Sequence, residues 1–204
     1  MRSSNLVGLT GGIACGKSTV SAMLADRGAI VVDADRVSRT VVEAGSAGLA
    51  AVIDAFGDRY LTAEGHLDRA ALGQLIFGDS AARSRLNSIV HPRMARLTAE
   101  RIAAAQAAAP SLIVYDAALL IEMGQADRFR PLLVVHVPTA VQMARLRARD
   151  ALTEADARSR IAAQMPVAEK AALADHLIDN GGTRAQTEAQ VERLFAHLTG
   201  SGEH

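Results

Sequence analysis

Apolar residues come along this chain in short consecutive runs, separated by longer stretches in which they recur every three or four positions. The runs NLVGLT (5–10), AIVVD (29–33), SLIVYD (111–116), LLVVHV (132–137) and HLID (176–179) have the length of strands. Their apolar positions are mostly consecutive, as in strands buried on both faces. The stretches between them carry helix start signals. Asp68 precedes RAALGQLIF, Asp79 precedes SAARSRLNSIV, and Thr153 with Asp156 has the spacing of a weak capping box. Strands and helices in alternation predict an α/β fold around a largely parallel sheet.

Two stretches break the alternation. Residues 36–109 show helical patterns alone, and residues 139–174 are helical and rich in arginine. The first reads as a substrate-binding insert and the second as a mobile lid. The resulting division is a core of 1–35 with 92–138 and 175–204, a helical insert of 36–91, and a lid of 139–174. No Gly/Ser/Pro linker fences either piece, and no internal repeat is present. The alanine-rich AERIAAAQAAAP (99–110) reads as ordinary helix, and the terminal GSGEH as a frayed end.

Composition narrows the classes. Lysine plus arginine equals aspartate plus glutamate at 22 each, so the chain lacks the basic excess of a generic nucleic-acid binder. With no tryptophan and few other aromatics, the core must be built from Leu, Ile, Val and Ala. Cys15 is the single cysteine, which excludes an internal disulfide and fits a reducing compartment. The start MRSSNLVGLTGG has no long apolar stretch of the signal-peptide kind, and runs such as LLVV are too short to span a bilayer. The expectation is a cytoplasmic protein with no membrane and no nucleic-acid partner.

The chemistry begins at GGIACGKS (11–18), which fits G-x-x-x-x-G-K-[ST]. Gly11 and Gly16 let successive backbone N–H groups turn inward toward phosphate oxygens, and the helix that follows adds its positive end. Lys17 is placed for the β- and γ-phosphates and the Ser18 hydroxyl for Mg²⁺. An apolar strand before the loop and an amphipathic KSTVSAMLADRG after it supply the context of a P-loop NTPase. The expected architecture is three-layered, with a parallel five-stranded sheet, the helical insert and the helical lid. Cys15, beside Lys17 at a helix start, sits where a thiol pKa can fall. The plainer reading, a position that tolerates many residues, is preferred.

VVDADR (31–36) ends the second strand, and alternation puts Asp33 and Asp35 on one side if the extended backbone persists. Carboxyl ends of strands form the ligand crevice of open α/β sheets, so both acids should face the phosphates. One would accept the proton of an attacking hydroxyl and the other would hold Mg²⁺ through water. A turn or helix-cap pair is the alternative. LIVYD (112–116) ends in Asp116, in the style of the second metal-side acid of P-loop proteins, with Glu122 six residues on. MARLRARD (143–150) places Arg145 and Arg149 on one helix face, where a lid could carry charge to the transferred group. His91, before Pro92, reads as a turn residue, and no His/Cys pair has zinc spacing.

Two classes compete: a small-molecule kinase and a nucleotide hydrolase. The chain has no N-K-x-D segment for guanine and no S-G-G-Q segment of an ABC-type ATPase. Several segments together resemble the dephospho-coenzyme A kinase family: GLTGGIACGKST (8–19), VVDADRVSRTVV (31–42), LDRAALGQLIF (67–77), LNSIVHPRM (86–94), DAALLIE (116–122), RARD (147–150), RIAAQM (160–165) and LIDNGG (177–182). They fall in family order over nearly the whole chain.

The resemblance implies transfer of phosphate from ATP to the ribose 3′-hydroxyl of dephospho-coenzyme A, with Mg²⁺, and a monomer is expected. It makes Asp35 the base, Lys17 the phosphate clamp and Arg149 the lid arginine. The nucleotide would be held by Gly12, Ile13, Ala14, Cys15, Gly16, Lys17, Ser18, Thr19, Arg145, Asn180 and Gly182. Thr10, Asp33, Asp35, Arg69, His91, Asp116, Leu119 and Glu122 would serve the acceptor. Ser18 would bind the metal, with Asp33 or Asp116 through water. Against the family pattern, Ala14 stands where glycine is usual, Cys15 where serine or alanine is common, and Ala118 where proline is usual. Ala14 is expected to require a negative φ, and Ala118 to loosen a turn in the substrate pocket.

Overall fold

The structure, a computed structural model, describes residues 5–201. Each of the five apolar runs is a strand within two residues of its predicted ends: β1 Leu6–Gly11, β2 Ile30–Asp33, β3 Ile113–Asp116, β4 Leu132–His136 and β5 His176–Asp179. The sheet order is β2-β3-β1-β4-β5. Leu9 lies beside Asp116 on one side and Leu133 on the other, with both pairings parallel, and β5 runs parallel to β4. From β1 the chain leaves toward β2, whereas from β4 it leaves toward β5. The neighbouring strands β1 and β4 therefore form a switch point, where the carboxyl ends open into a crevice.

Helix α1 (Lys17–Asp26) and helix α9 (Arg184–Thr199) cover one face of the sheet. Val20, Met23 and Leu24 of α1 and Val191 of α9 join Val7, Leu9, Val114, Leu133, Val135 and Ile178 in one aliphatic cluster. On the other face Tyr115 stacks on Phe129, with ring centroids 4.1 Å apart. The arginine-rich stretch forms α6 (Thr139–Asp150), α7 (Glu154–Ala162) and α8 (Val167–Ala172). Thr153 caps α7 by accepting from the Asp156 N–H, as its spacing predicts. Thr183 and Gln186 make a full capping box on α9, and Gly200 at φ 68° closes that helix. Fraying of 202–204, and the segment before residue 5, lie outside the described residues. Among the described residues no helix is long and apolar enough to cross a membrane.

The chain divides into two compact units, one running to Val32 and resuming at Ala105, the other Asp33–Ala104. The second holds α2 (Ala34–Val41), α3 (Ala47–Phe56), α4 (Arg69–Gly78) and most of α5 (Ser80–Ala107). Asp68 caps α4 through the Ala71 N–H, and the Asp79 carboxylate accepts from Ala81 and Ala82. Two local expectations are corrected here. The extended backbone does not persist to Asp35: Asp33 caps α2, accepting from the N–H groups of Asp35 (2.7 Å) and Arg36 (3.1 Å). A cap so well satisfied starts the helix at once, so strand alternation does not relate the two acids. His91 is not in a turn either, because α5 runs through Pro92. The proline removes one N–H from the ladder, and the Arg93 guanidinium donates to the Ile89 carbonyl at 2.6 Å beside it.

Candidate active site

The loop between β1 and α1 is shaped by two left-handed residues. Ala14 has φ 59° and Gly16 has φ 83°. The expected negative φ at Ala14 is therefore corrected: the turn is made with an alanine, at a cost of about 1 kcal/mol. That conformation persists because its neighbours are tied down on both sides. The Ile13 N–H donates to Gln164 Oε1 at 2.8 Å, and the Ile13 carbonyl accepts from Gln142 Nε2 at 2.7 Å. The Cys15 N–H donates to the Gly12 carbonyl, and its own carbonyl accepts from Asn180 Nδ2 at 2.8 Å.

Gly16 stands where α1 begins, and no side chain caps that end. The first-turn N–H groups, with the positive helix end, form an anion-binding arrangement. Lys17 follows directly and is ion-paired with Asp116 from the end of β3; both side chains are largely buried. Ser18 is exposed. Cys15 is fully buried, and that burial pushes its thiol above the ordinary range, opposite to the lowered value its position could suggest.

Beside Gly16 lies an open pocket of about 280 Å³ lined by Gly16, Thr19, Arg145, Asn180, Gly182 and Arg184. Its floor is organised. Arg145 donates to the Asn180 carbonyl at 2.9 Å, and the buried Thr187 hydroxyl donates to Asn180 Oδ1 at 2.8 Å. Asn180 thus has its side-chain oxygen fixed from α9 and its amide aimed at the phosphate loop.

The segment after β3 is held from two directions. The Thr10 hydroxyl, fully buried, donates to the Ala118 carbonyl at 3.1 Å. Lys170 of α8 is completely buried, donating to the same carbonyl at 2.9 Å and pairing with Glu122 at 2.7 Å. Glu122 also accepts from the Met165 N–H. Ala118 therefore sits in a turn whose carbonyl has two donors. Leu119 projects outward at 43% exposure.

Arg149, one turn beyond Arg145, is exposed and bonds to Asp150, its neighbour, at 2.7 and 3.0 Å. Asp150 also pairs with Arg160. The bond raises the Arg149 pKa and lowers that of Asp150. In the other unit, Asp33 caps α2, Asp35 is exposed in its first turn, Arg69 opens α4, and His91 lies exposed on α5.

One unit thus brings together the loop, Lys17, Asp116, Arg145, Asn180 and Gly182. Sequence reasoning missed Gln142, Gln164, Lys170, Arg184 and Thr187. Gln164 lies inside RIAAQM, so its segment stood out, but nothing in the pattern marked the side chain. Lys170, amid alanines in AEKAALA, looked like any solvated helix lysine.

Comparison with known proteins gives this geometry a family. The model of the CoaE dephospho-CoA kinase family matches residues 5–186. Dephospho-CoA kinase of Geobacter sulfurreducens is 45% identical over 192 residues, covering 94% of this chain and 98% of its own. That of Thermobifida fusca is also 45% identical, covering 94% and 95%. A crystal structure from Thermus thermophilus superposes with a TM-score of 0.79 at 31% identity, covering 94% of this chain and 96% of its own. Dephospho-CoA kinase from Campylobacter jejuni shares the fold, with a TM-score of 0.74 at 23% identity over 98% and 99% of the two chains. The chain belongs to the dephospho-CoA kinase family.

Proposed function

We propose that this chain carries out the ATP-dependent phosphorylation of the 3′-hydroxyl of dephospho-coenzyme A with the following division of labour. The core (1–35, 92–138 and 175–204) holds ATP, the insert (36–91) binds the coenzyme, and 139–174 acts as the lid. The observation that carries this reading is the uncapped start of α1, with Lys17 at its first position and the Asn180-floored pocket alongside. An anion site that adjoins a nucleoside-sized hollow suits a nucleoside triphosphate.

In this reading the loop from Gly12 to Thr19 holds the phosphates, with Lys17 and with those N–H groups that are not already donated to Gln164 or within the loop, while Arg145, Asn180 and Gly182 bound the nucleoside side. Ser18, with Asp33 or Asp116 through water, offers hard oxygen donors that suit Mg²⁺, which when bound supplies charge neutralisation on the phosphates. Asp35 orients the 3′-hydroxyl and takes its proton. Arg149, leaving Asp150, brings positive charge to the transferred group. Thr10, Asp33, Arg69, His91, Asp116, Leu119 and Glu122 shape the acceptor side, Thr10 by fixing the turn at Ala118. Because the transition state is loose, positioning and charge count for more than base strength. The enzyme is read as a cytoplasmic monomer.

The test is ADP release by purified protein with Mg²⁺, with and without dephospho-coenzyme A, in parallel with AMP, CMP and shikimate. Release confined to dephospho-coenzyme A, with coenzyme A as product, is the expected result. Acceptor-independent release would make the chain a hydrolase, and turnover with another acceptor would discard the substrate assignment. Asp35→Asn should leave ATP affinity near normal and lower kcat by roughly 10²-fold or more. Collapse of ATP binding in a titration would move Asp35 to the metal site.

A further inference from the structure

Ile13 carries two hydrogen bonds of opposite sense, both from the segment that follows β4. Gln142, on the first turn of α6, is 3% exposed and donates through Nε2 to the Ile13 carbonyl. Gln164, just beyond α7, accepts the Ile13 N–H through Oε1. The approach of Gln142 depends on a missing side chain: a Cβ on Gly12 would stand 2.7 Å from Nε2. The amide therefore occupies a space that Gly12 leaves open.

In a trans peptide the C=O and the following N–H point in opposite directions. Fixing the Ile13 carbonyl on Gln142 therefore fixes the Ala14 N–H on the other side of the same peptide plane. Fixing the Ile13 N–H on Gln164 holds the preceding plane and takes that donor out of the set free to meet phosphate. Two adjacent planes are thus set just before Ala14, the residue whose left-handed backbone costs free energy.

We propose that Gln142 and Gln164 are positioning residues for phosphoryl transfer, a bracket on Ile13 that aims the Ala14 N–H at the triphosphate and couples the α6–α7 segment to the loop. The proposal rests on the reading of this loop as the ATP site. The chemistry demanded of the two amides differs. Position 142 must donate, so neither Met nor Glu can replace it. Position 164 must accept, so Glu can replace it and Met cannot.

The test uses the full chain and four variants: Gln142→Met, Gln142→Glu, Gln164→Met and Gln164→Glu. Steady-state kinetics give KM for ATP and for dephospho-coenzyme A separately, and amide hydrogen exchange without nucleotide reads the Ile13 N–H. Gln142→Met should raise KM for ATP about tenfold with KM for dephospho-coenzyme A unchanged, the size expected for one lost hydrogen bond, and Gln142→Glu should raise it at least as far. Gln164→Met should speed Ile13 exchange about tenfold, and Gln164→Glu should restore protection. A Gln142→Met enzyme with unchanged KM for ATP, or one raised equally for both substrates, would overturn the bracket. So would equal Ile13 exchange in the two position-164 variants. Wild-type protein that fails to turn over dephospho-coenzyme A would sink the substrate reading instead, and the exchange measurement would still decide the bracket.

Discussion

Three of the phosphate loop's backbone groups bond to side chains 129, 151 and 165 positions away, whereas Arg149 is tied to Asp150, the next residue. Of the loop's three partners, Gln142 and Asn180 are buried and Gln164 is half-buried, while Arg149 is exposed. A contact between exposed neighbours is worth about 0–1 kcal/mol and breaks readily. Loop contacts that close over large separations need the folded core in place before they form. The nucleotide side is thus preorganised by the fold, and the arginine assigned to the transferred group is left free to move. Fixed donors and movable charge are complementary requirements of phosphoryl transfer.

Lys17→Ala strikes the organised side and should have the largest effect, a fall in kcat of roughly 10³-fold. A near-normal kcat would remove Lys17 from the chemistry. Arg149→Ala strikes the movable side. Its kcat should fall by roughly 10²-fold, while the unfolding midpoint and the ATP dissociation constant stay at the parent values. If Arg149→Ala cost as much stability as activity, Arg149 would be a structural residue and the contrast with the loop would fail.

Gly16→Ala probes the organisation itself. Its φ of 83° is left-handed, and a Cβ there would run into the Asn180 amide. The added strain and the displaced Asn180–Cys15 bond should together cost about 2–3 kcal/mol. A drop of roughly 5–10 °C in the thermal midpoint is the measurement that checks it. No drop would mean that the loop is more pliable than its long-range bonds imply.

What the sequence disclosed and what it hid follow from the same physics. Buried parallel strands must be apolar on both faces, so the runs around Val7, Val114 and Val134 are strands wherever they are met. The spacing from Gly11 to Ser18 is set by the geometry of wrapping backbone around a phosphate, and caps such as Asp68 and Thr153 act within a few residues. These are local demands, and sequence states them. Gln142, Gln164 and Lys170 answer partners more than 50 residues away. A buried polar side chain on a helix looks, in sequence, like a solvated one. Ala14 was misjudged because its conformation is imposed by such distant bonds. Asp35 was misplaced because the Asp33 cap outcompeted one more extended residue. His91 was read as a turn residue before Pro92, although a long helix can absorb one missing N–H.

Asp175 separates the two properties that the loop combines, since its partners are distant but it is poorly buried. Its carboxylate accepts from the Leu132 N–H at 2.6 Å and from Arg130 at 2.7 Å, across 43 and 45 residues. The Leu132 bond, followed by the Arg130 bond, holds the carboxyl below its ordinary range. The charged pair itself is exposed, at 40% for Arg130 and 36% for Asp175. A depressed folded-state pKa contributes stability that is fully present above the unfolded carboxylate value, about 4, and is lost as pH falls through the folded value. Asp175→Asn keeps an oxygen for Leu132 and removes the charge. If burial sets the strength of a contact, urea unfolding at pH 7 should show a loss of about 0.5 kcal/mol. That difference should shrink toward zero as the pH is lowered below 4. A loss of about 2 kcal/mol or more would rank this exposed pair with the loop contacts, and sequence separation rather than burial would then be the property that matters.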